Sequence, residues 1–403
     1  MEIAAQRAGF DVARLERITT HLNRHYLEPQ KIAGCQVVVA RHGHVAYHRS
    51  LGFMNLERGI PMMDDAIFRI YSMSKPITSI ALMQLYEQGL FQLNDPVYRV
   101  IPSWREQQVY VSGQDDDMIV KPAKSPVTFR HLLTHMAGLS YGETPHPVDK
   151  MYRAHDVVRT GGATLDSFVA KLSGMPLHFE PGSRWMYSYA TDVCGHLVEI
   201  LSGKTLDRYL EDHIFEPLGM QDSAFSVPAE KKSRFAACYE RKADKSLALL
   251  DDPLTSSYLQ PPSCLSGGGG LTSTTADYLR FCEMLRCGGQ LDGERIVGSR
   301  TLRLICQNHL PGGVDLARMA EGGLSETAYE GVGFGLGFAM SLSDVATAAL
   351  GGEDYYWGGA ASTIFWVDPV EDLVVILMTQ LMPSDTFNFR GQLKNIIYSA
   401  LDD

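Results

Sequence analysis

The sequence predicts an α+β fold in which one antiparallel sheet is built from both ends of the chain. Three observations carry that expectation. Residues 35–48 and 362–378 each read as two apolar runs joined by a short turn, the signature of a β-hairpin. Helix-periodic segments flank these hairpins at 10–27 and 387–401. Between the hairpins the pattern is mostly helical, so a helical lobe is inserted into a sheet covered by terminal helices.

At the N-terminus, Phe10, Val12, Leu15, Ile18 and Leu22 recur near helical spacing. Cys35–Ala40 and His44–His48 then flank the turn Arg41-His42-Gly43. From Ser72 to about Gln88 the pattern is helical, with Ile77, Ile80, Ala81 and Leu85 on one side. Pro76 falls near its start, where a missing N–H costs least, and Gly89 is placed to cap its end. Residues 100–180 mix helices with long loops and build a cap over the site. Helices are expected at 128–135, 165–173, 192–202 and 205–214. Over 192–202, Val193, Leu197, Ile200 and Leu201 form a stripe that Gly203 ends. The run Gly267–Gly270 leads into a further helix through Asp277–Phe281. No Lys-Ser or Lys-Thr follows those glycines and no β-run precedes them, so they read as a tight structural turn, not a phosphate loop. Ser362–Val367 and Leu373–Met378 are joined by Asp368–Asp372, and the last helix carries Leu393, Ile396, Ile397 and Leu401.

Composition narrows the function. The 403 residues are 45% hydrophobic and 21% charged, enough for a large core. Net charge is −11 and no Lys/Arg cluster forms a phosphate-binding stripe, so nucleic acid and anionic membrane are poor partners. No apolar run approaches the ~18 residues that span a bilayer. The first residues lack the basic-then-apolar pattern of a signal peptide. Seven scattered cysteines without a C-x-x-C pair fit reduced thiols, and a cytoplasmic location is expected. Asp115-Asp116-Asp117 lacks the spaced ligands of a calcium loop and reads as a solvated loop. Oligomeric state is left open.

Three segments carry chemistry. In Tyr71-Ser72-Met73-Ser74-Lys75-Pro76 a serine precedes a lysine by three at a helix start, so hydroxyl and amine share a face. An amine that has lost its proton can activate that hydroxyl as a nucleophile. In Pro181-Gly182-Ser183-Arg184-Trp185-Met186-Tyr187-Ser188-Tyr189 a tyrosine enters a helix, where it can shuttle a proton or simply be a buried, hydrogen-bonded ring. In Trp357-Gly358-Gly359-Ala360-Ala361-Ser362-Thr363 the glycines let a ligand approach a strand edge. The following N–H groups can then hold an oxyanion; the plainer reading is a β-bulge.

Together, in this order and spacing, the segments resemble the serine β-lactamase and penicillin-binding-protein superfamily. Within it the chain is most similar to the class C β-lactamase-like branch, the family VIII carboxylesterases. Phe68-Arg69-Ile70, Leu132–Leu139, Gly267–Leu271 with Asp277-Tyr278, and Trp366-Val367-Asp368-Pro369 extend the resemblance over nearly the whole chain. It implies a β-lactamase-like fold in a single catalytic unit, 1–403, with an α/β lobe of about 1–70 and 290–403 and a helical cap lobe of about 71–289. It implies Ser72 as nucleophile, Lys75 as its partner and Tyr187 as the catalytic tyrosine. The N–H groups of Ser72 and Ala360 would form the oxyanion hole. Trp357-Gly358-Gly359 stands where lactamases carry Lys-Thr-Gly, and Tyr189 where they carry an asparagine. An indole in place of an ammonium removes an anion site and offers an apolar wall. Both departures favour neutral esters over carboxylate-bearing amides.

The expectation is therefore a serine esterase acting on small to medium carboxylic esters through an acyl-enzyme, with no cofactor and no metal. Trp357, Tyr141 and Tyr189 are expected near the substrate. The alternatives are an acyltransferase using the same residues, a weak β-lactamase or D-amino-acid peptidase, and a non-catalytic binding relative. Two decoys are set aside. Gly138-Leu139-Ser140-Tyr141-Gly142 fits G-x-S-x-G but has a helix before it and a loop after it, the reverse of what that motif needs. His131 and His135 are spaced as in zinc proteases, but Leu132 stands where the essential glutamate belongs. His196 likewise reads as a structural residue on its helix.

Overall fold

The computed structural model describes residues 1–157, 162–322 and 327–402. Its centre is an eight-stranded antiparallel sheet. Three strands come from the start of the chain: β1 (Gly34–Arg41), β2 (His44–Asn55) and β3 (Ile60–Pro61). Five come from its end: β4 (Val332–Phe334), β5 (Ala339–Ser341), β6 (Tyr355–Gly358), β7 (Ile364–Asp368) and β8 (Leu373–Thr379). The order is β4-β5-β6-β7-β8-β1-β2-β3. The two chain ends thus meet at β8 and β1, where Val38 faces Ile376. On its other side Val38 faces His48 of β2. Every residue of β1 is buried, the state of a central strand covered on both faces.

The helices that matter for the site are α1 (Ser74–Glu87), α2 (Ala190–Ser202), α3 (Thr275–Arg286) and α4 (Phe389–Tyr398). α3 packs on β1, β7 and β8, and the N-terminal helical segment packs on α4. α1 packs on α2, at the middle of the inserted helices. The expected one-sided stripe on α1 is not what forms, because residues 74–83 are buried on all sides. Its polar members Ser74, Lys75, Thr78 and Ser79 are buried along with the apolar ones. In α2, Ile200 points outward at 43% exposure, so the stripe there is Val193, Leu197 and their neighbours. Gly203 ends α2 in the left-handed conformation at φ +72°, which a side chain resists.

The region 100–180 also holds a feature that the sequence reading missed. Gln108–Ser112 and Ile119–Pro122 pair as an antiparallel hairpin around the exposed turn Asp115–Asp117. Its outer strand is exposed throughout, so it lacks the apolar alternation that marks a half-buried strand. Among the described residues no helix is long and apolar enough to cross a membrane. All seven cysteines are free thiols.

Candidate active site

The turn that carries Ser72 is held from several sides. Strand Ile67–Arg69 pairs with Thr272–Thr274, and the chain then bends through Tyr71–Met73 into α1. Tyr71 sits at φ +41°, a region that costs a bulky residue about 1–3 kcal/mol. Such a conformation persists only where the surroundings impose it. Here the Ile70 N–H donates to the Leu271 carbonyl at 3.1 Å. The Leu271 N–H donates to Ser74 Oγ at 3.1 Å. The Tyr278 hydroxyl donates to the Met73 carbonyl at 3.0 Å. Just before the turn, Arg69 is fully buried, paired with Asp251 at 2.7 Å and stacked over the Phe235 ring at 3.9 Å.

One helical turn on, Lys75 Nζ donates to Ser72 Oγ at 3.1 Å and to the Gly268 carbonyl at 2.6 Å. Lys75 is 1% exposed, and its amine lies over the rings of Tyr187 at 4.5 Å and Tyr141 at 5.6 Å. The glycine run is the tight turn expected, and it also supplies this carbonyl. Asp192 of α2 fixes the turn by accepting from Ser266 Oγ at 2.6 Å and from the Gly268 N–H at 3.3 Å. A Cβ on Gly268 would come within 2.6 Å of Asp192 Oδ2. The roles of Gly268 and Asp192 carry no sequence signal beyond the glycines themselves, because they depend on a contact 193 residues away from Lys75.

Tyr187 is buried, and the indole N–H of Trp357 donates to its hydroxyl at 3.1 Å. Trp357 is wholly buried in β6. It therefore stands behind Tyr187 and orients it, where the sequence suggested a wall facing substrate. Gly358 and Gly359 also lie behind the cleft. A Cβ on Gly359 would collide with Thr363 Oγ1 and with the carbonyl of Ile70, so this glycine is what lets the strand edge close on the nucleophile turn. Tyr189 begins α2 and packs edge-on to Tyr141 at 4.7 Å and to Phe168 at 5.0 Å.

A cleft of about 290 Å³ opens over Ser72. Tyr71, Tyr141 and Tyr187 line it, together with Ala360 and Glu143. The structure thus brings Ser72, Lys75, Tyr187, Tyr141 and Ala360 together and sets Trp357, Gly358, Gly359 and Tyr189 behind them. Glu143 was not singled out in the sequence, where one acidic residue in a polar loop has no distinguishing neighbour.

The decoys have other work. Ser140 is buried and donates to Asp149 Oδ1 at 2.5 Å, and His178 Nε2 meets the same oxygen at 2.7 Å. Thr144 donates to Asp149 Oδ2 through its N–H at 2.8 Å and its hydroxyl at 2.6 Å. Burial pushes the Asp149 carboxyl up, but these hydrogen bonds outweigh it and hold it well below the usual carboxylate range. His131 closes a helix cap, its Nδ1 accepting from the Thr128 N–H at 3.3 Å. His135 lies against Tyr187 with ring centroids 5.0 Å apart, and burial, then the nearby Lys75, pushes its pKa far down. His196 approaches Asp166 of the helix Leu165–Ser173 at 3.6 Å and Glu199 of its own helix at 3.5 Å. Among the described residues no three metal-ligating side chains come together.

Known proteins share this chain over most of its length. The esterase EstB of Burkholderia gladioli is 30% identical over 374 residues, covering 88% of this chain and 87% of that protein. The acyltransferase calJ of Penicillium decumbens is 28% identical over 354 residues, covering 85% and 82%. Among solved structures, EstCE1, a hydrolase with promiscuous acyltransferase activity, has the same fold with a TM-score of 0.80 at 24% identity, over 96% of this chain and 99% of that one. A mutant of simvastatin synthase from Aspergillus terreus gives a TM-score of 0.80 at 25% identity, over 96% and 97%. The large antiparallel sheet with its inserted helices is thus the β-lactamase-like fold. The family model described as Beta-lactamase matches residues 20–396, and the protein is a member of that family.

Proposed function

We propose that the protein is a serine carboxylesterase that hydrolyses small to medium esters through an acyl-enzyme on Ser72. The observation that carries this reading is the Lys75 amine 3.1 Å from Ser72 Oγ, beneath an open cleft and beside Tyr187. Burial disfavours the charged form of an amine, which suits a Lys75 that takes a proton. Ser72 Oγ gives its proton to the Lys75–Tyr187 pair and bonds to the ester carbonyl carbon. The N–H groups of Ser72 and Ala360 hold the oxyanion. The carbon–alkoxy bond then breaks, and the leaving alcohol takes the proton. Water repeats the steps, its proton passing to the pair and then to Ser72 as the acid leaves. The Trp357 N–H on the Tyr187 oxygen stabilises negative charge gathering there. As coupled groups, Lys75 and Tyr187 share the role of base.

The relative named an esterase supports hydrolysis, and the relative named an acyltransferase supports a second reading with the same residues. In that reading an acceptor alcohol replaces water at the second step. The indole at Trp357 and the ring at Tyr189 argue against β-lactams, whose carboxylate needs a cation. Seven free thiols fit a reducing, cytoplasmic setting. The deciding experiment is turnover of p-nitrophenyl acetate and butyrate by wild type and Ser72→Ala. Turnover lost in the variant establishes Ser72 as nucleophile, and equal turnover in both removes it. Product analysis with added alcohol separates transfer from hydrolysis.

A further inference from the structure

One acidic side chain in the cleft has no counter-ion among the described residues. Glu143 lines the cleft with Tyr71, Tyr141 and Tyr187, and among the described residues no lysine or arginine lines it. Among the described residues its carboxylate has no ion-pair or hydrogen-bond partner. The loop that carries it is fixed. Arg153 Nη1 donates to the carbonyls of Gly142 and Thr144, the residues on either side of Glu143. Asp149 holds Thr144 from beneath by two hydrogen bonds, at 2.8 and 2.6 Å. The guanidinium of Arg153 is thus spent on backbone, and the backbone of Glu143 is held at the cleft.

The rings beside it suit the same kind of ligand. Aromatic faces attract cations, and a carboxylate with aromatic walls is the general form of a quaternary-ammonium site. Beneath this cleft the Lys75 amine lies 4.5 Å from the Tyr187 ring centre and 5.6 Å from that of Tyr141, so ring faces are turned toward the site. The chain's net charge of −11 adds a field that draws cations and repels anions.

We propose that the cleft selects esters bearing a trimethylammonium or similar fixed cation, with Glu143 as the counter-charge and the tyrosine rings as the wall. The proposal rests on the ester-hydrolase reading above. The cation can sit on the alcohol side or the acyl side, and two pairs of substrates separate these. The first pair is butyrylthiocholine and its uncharged isostere 3,3-dimethylbutyl thiobutyrate. The second is the p-nitrophenyl ester of trimethylglycine and that of 3,3-dimethylbutanoic acid.

For each pair the ratio of kcat/KM, cationic over neutral, is measured in wild type and in Glu143→Gln. Comparing the two enzymes cancels the intrinsic reactivity of the substrates. The expected result is a ratio about three- to tenfold higher in wild type for one pair, shrinking as salt is raised. Glu143→Lys should lower the ratio further. Ratios equal in wild type and both variants, for both pairs, overturn the proposal. Binding of benzyltrimethylammonium to Ser72→Ala, followed by calorimetry with and without Glu143→Gln, gives a readout free of turnover. Neutral esters hydrolysed but no Glu143-dependent binding or preference leaves the esterase reading intact and ends the cation site. Glu143-dependent binding without turnover of any ester ends the esterase reading and keeps the site.

Discussion

Single atoms decide most of the proposed chemistry. Tyr187→Phe removes the hydroxyl that accepts from Trp357 and is expected to lower kcat by about 10²-fold or more. Its thermal unfolding should shift little, since one hydrogen bond is worth about 1 kcal/mol. Trp357→Phe keeps the packing but removes the donor. It should lower kcat with KM nearly unchanged, because the indole does not line the cleft. Ser140→Ala tests the decoy: ester turnover should fall by less than about tenfold, while stability drops by about 1–2 kcal/mol as Asp149 loses a donor. The grouping of Ser72, Lys75 and Tyr187 was legible because these residue types stand at close or family-typical spacing. Trp357 was read correctly as a departure and placed wrongly in space, since no spacing tells whether a strand residue faces substrate or the residue behind it. Asp192 was invisible for a related reason, since Ser266 and Gly268 are brought to it only by the fold, and so was Glu143, since only the fold sets it at the cleft.

Turns and strand edges set how those atoms meet. Gly359→Ala would drive a methyl group into Thr363 Oγ1 and the Ile70 carbonyl. Backbone cannot step aside cheaply there, so loss of ester turnover is expected with a lowered melting temperature, read by activity and calorimetry together. The loop from Leu139 to His146 is anchored by Asp149 rather than by regular structure. Asp149→Asn should cost about 1–3 kcal/mol at neutral pH and loosen Tyr141. Because the folded-state pKa of Asp149 is depressed, its stabilisation is present above about pH 4 and is lost as pH falls through the lower folded value. The stability gap between wild type and variant should therefore be full near pH 7 and shrink below about pH 4. A gap constant down to pH 2 would show that the carboxylate charge is not what anchors the loop. The helix at 165–173 was read to the residue, Leu165–Ser173, because Thr164 caps it and an apolar face follows. The hairpin at 108–122 escaped because its outer strand is exposed on both faces and carries no alternation.

Across the whole molecule, the sheet binds the inserted helices and the chain ends into one body. Its C-terminal cover is pinned by a buried ion pair, Lys394 of α4 with Asp354 just before β6, at 2.7 Å. Lys394→Met leaves a buried carboxylate without its cation and should cost about 3–5 kcal/mol, measured by denaturant unfolding. Replacing both partners by apolar residues should recover much of that loss. The meeting of both chain ends in the sheet was legible from the two hairpin regions, but their adjacency through β1 and β8 was not, since apolar runs do not name their neighbours. That adjacency has a consequence for biogenesis. Thr379 Oγ1 donates to the Gly34 carbonyl across 345 residues of sequence. At about 5–20 residues per second, β1 leaves the ribosome roughly 17 to 70 s before β8 can lie beside it. For most of that time β1, wholly buried in the finished sheet, has an open edge, while residues 70–74 are already synthesised and the glycine-edged strand beside them is not. A nascent chain of this protein therefore carries an unpaired β1 edge until residues 373–379 have emerged to close it.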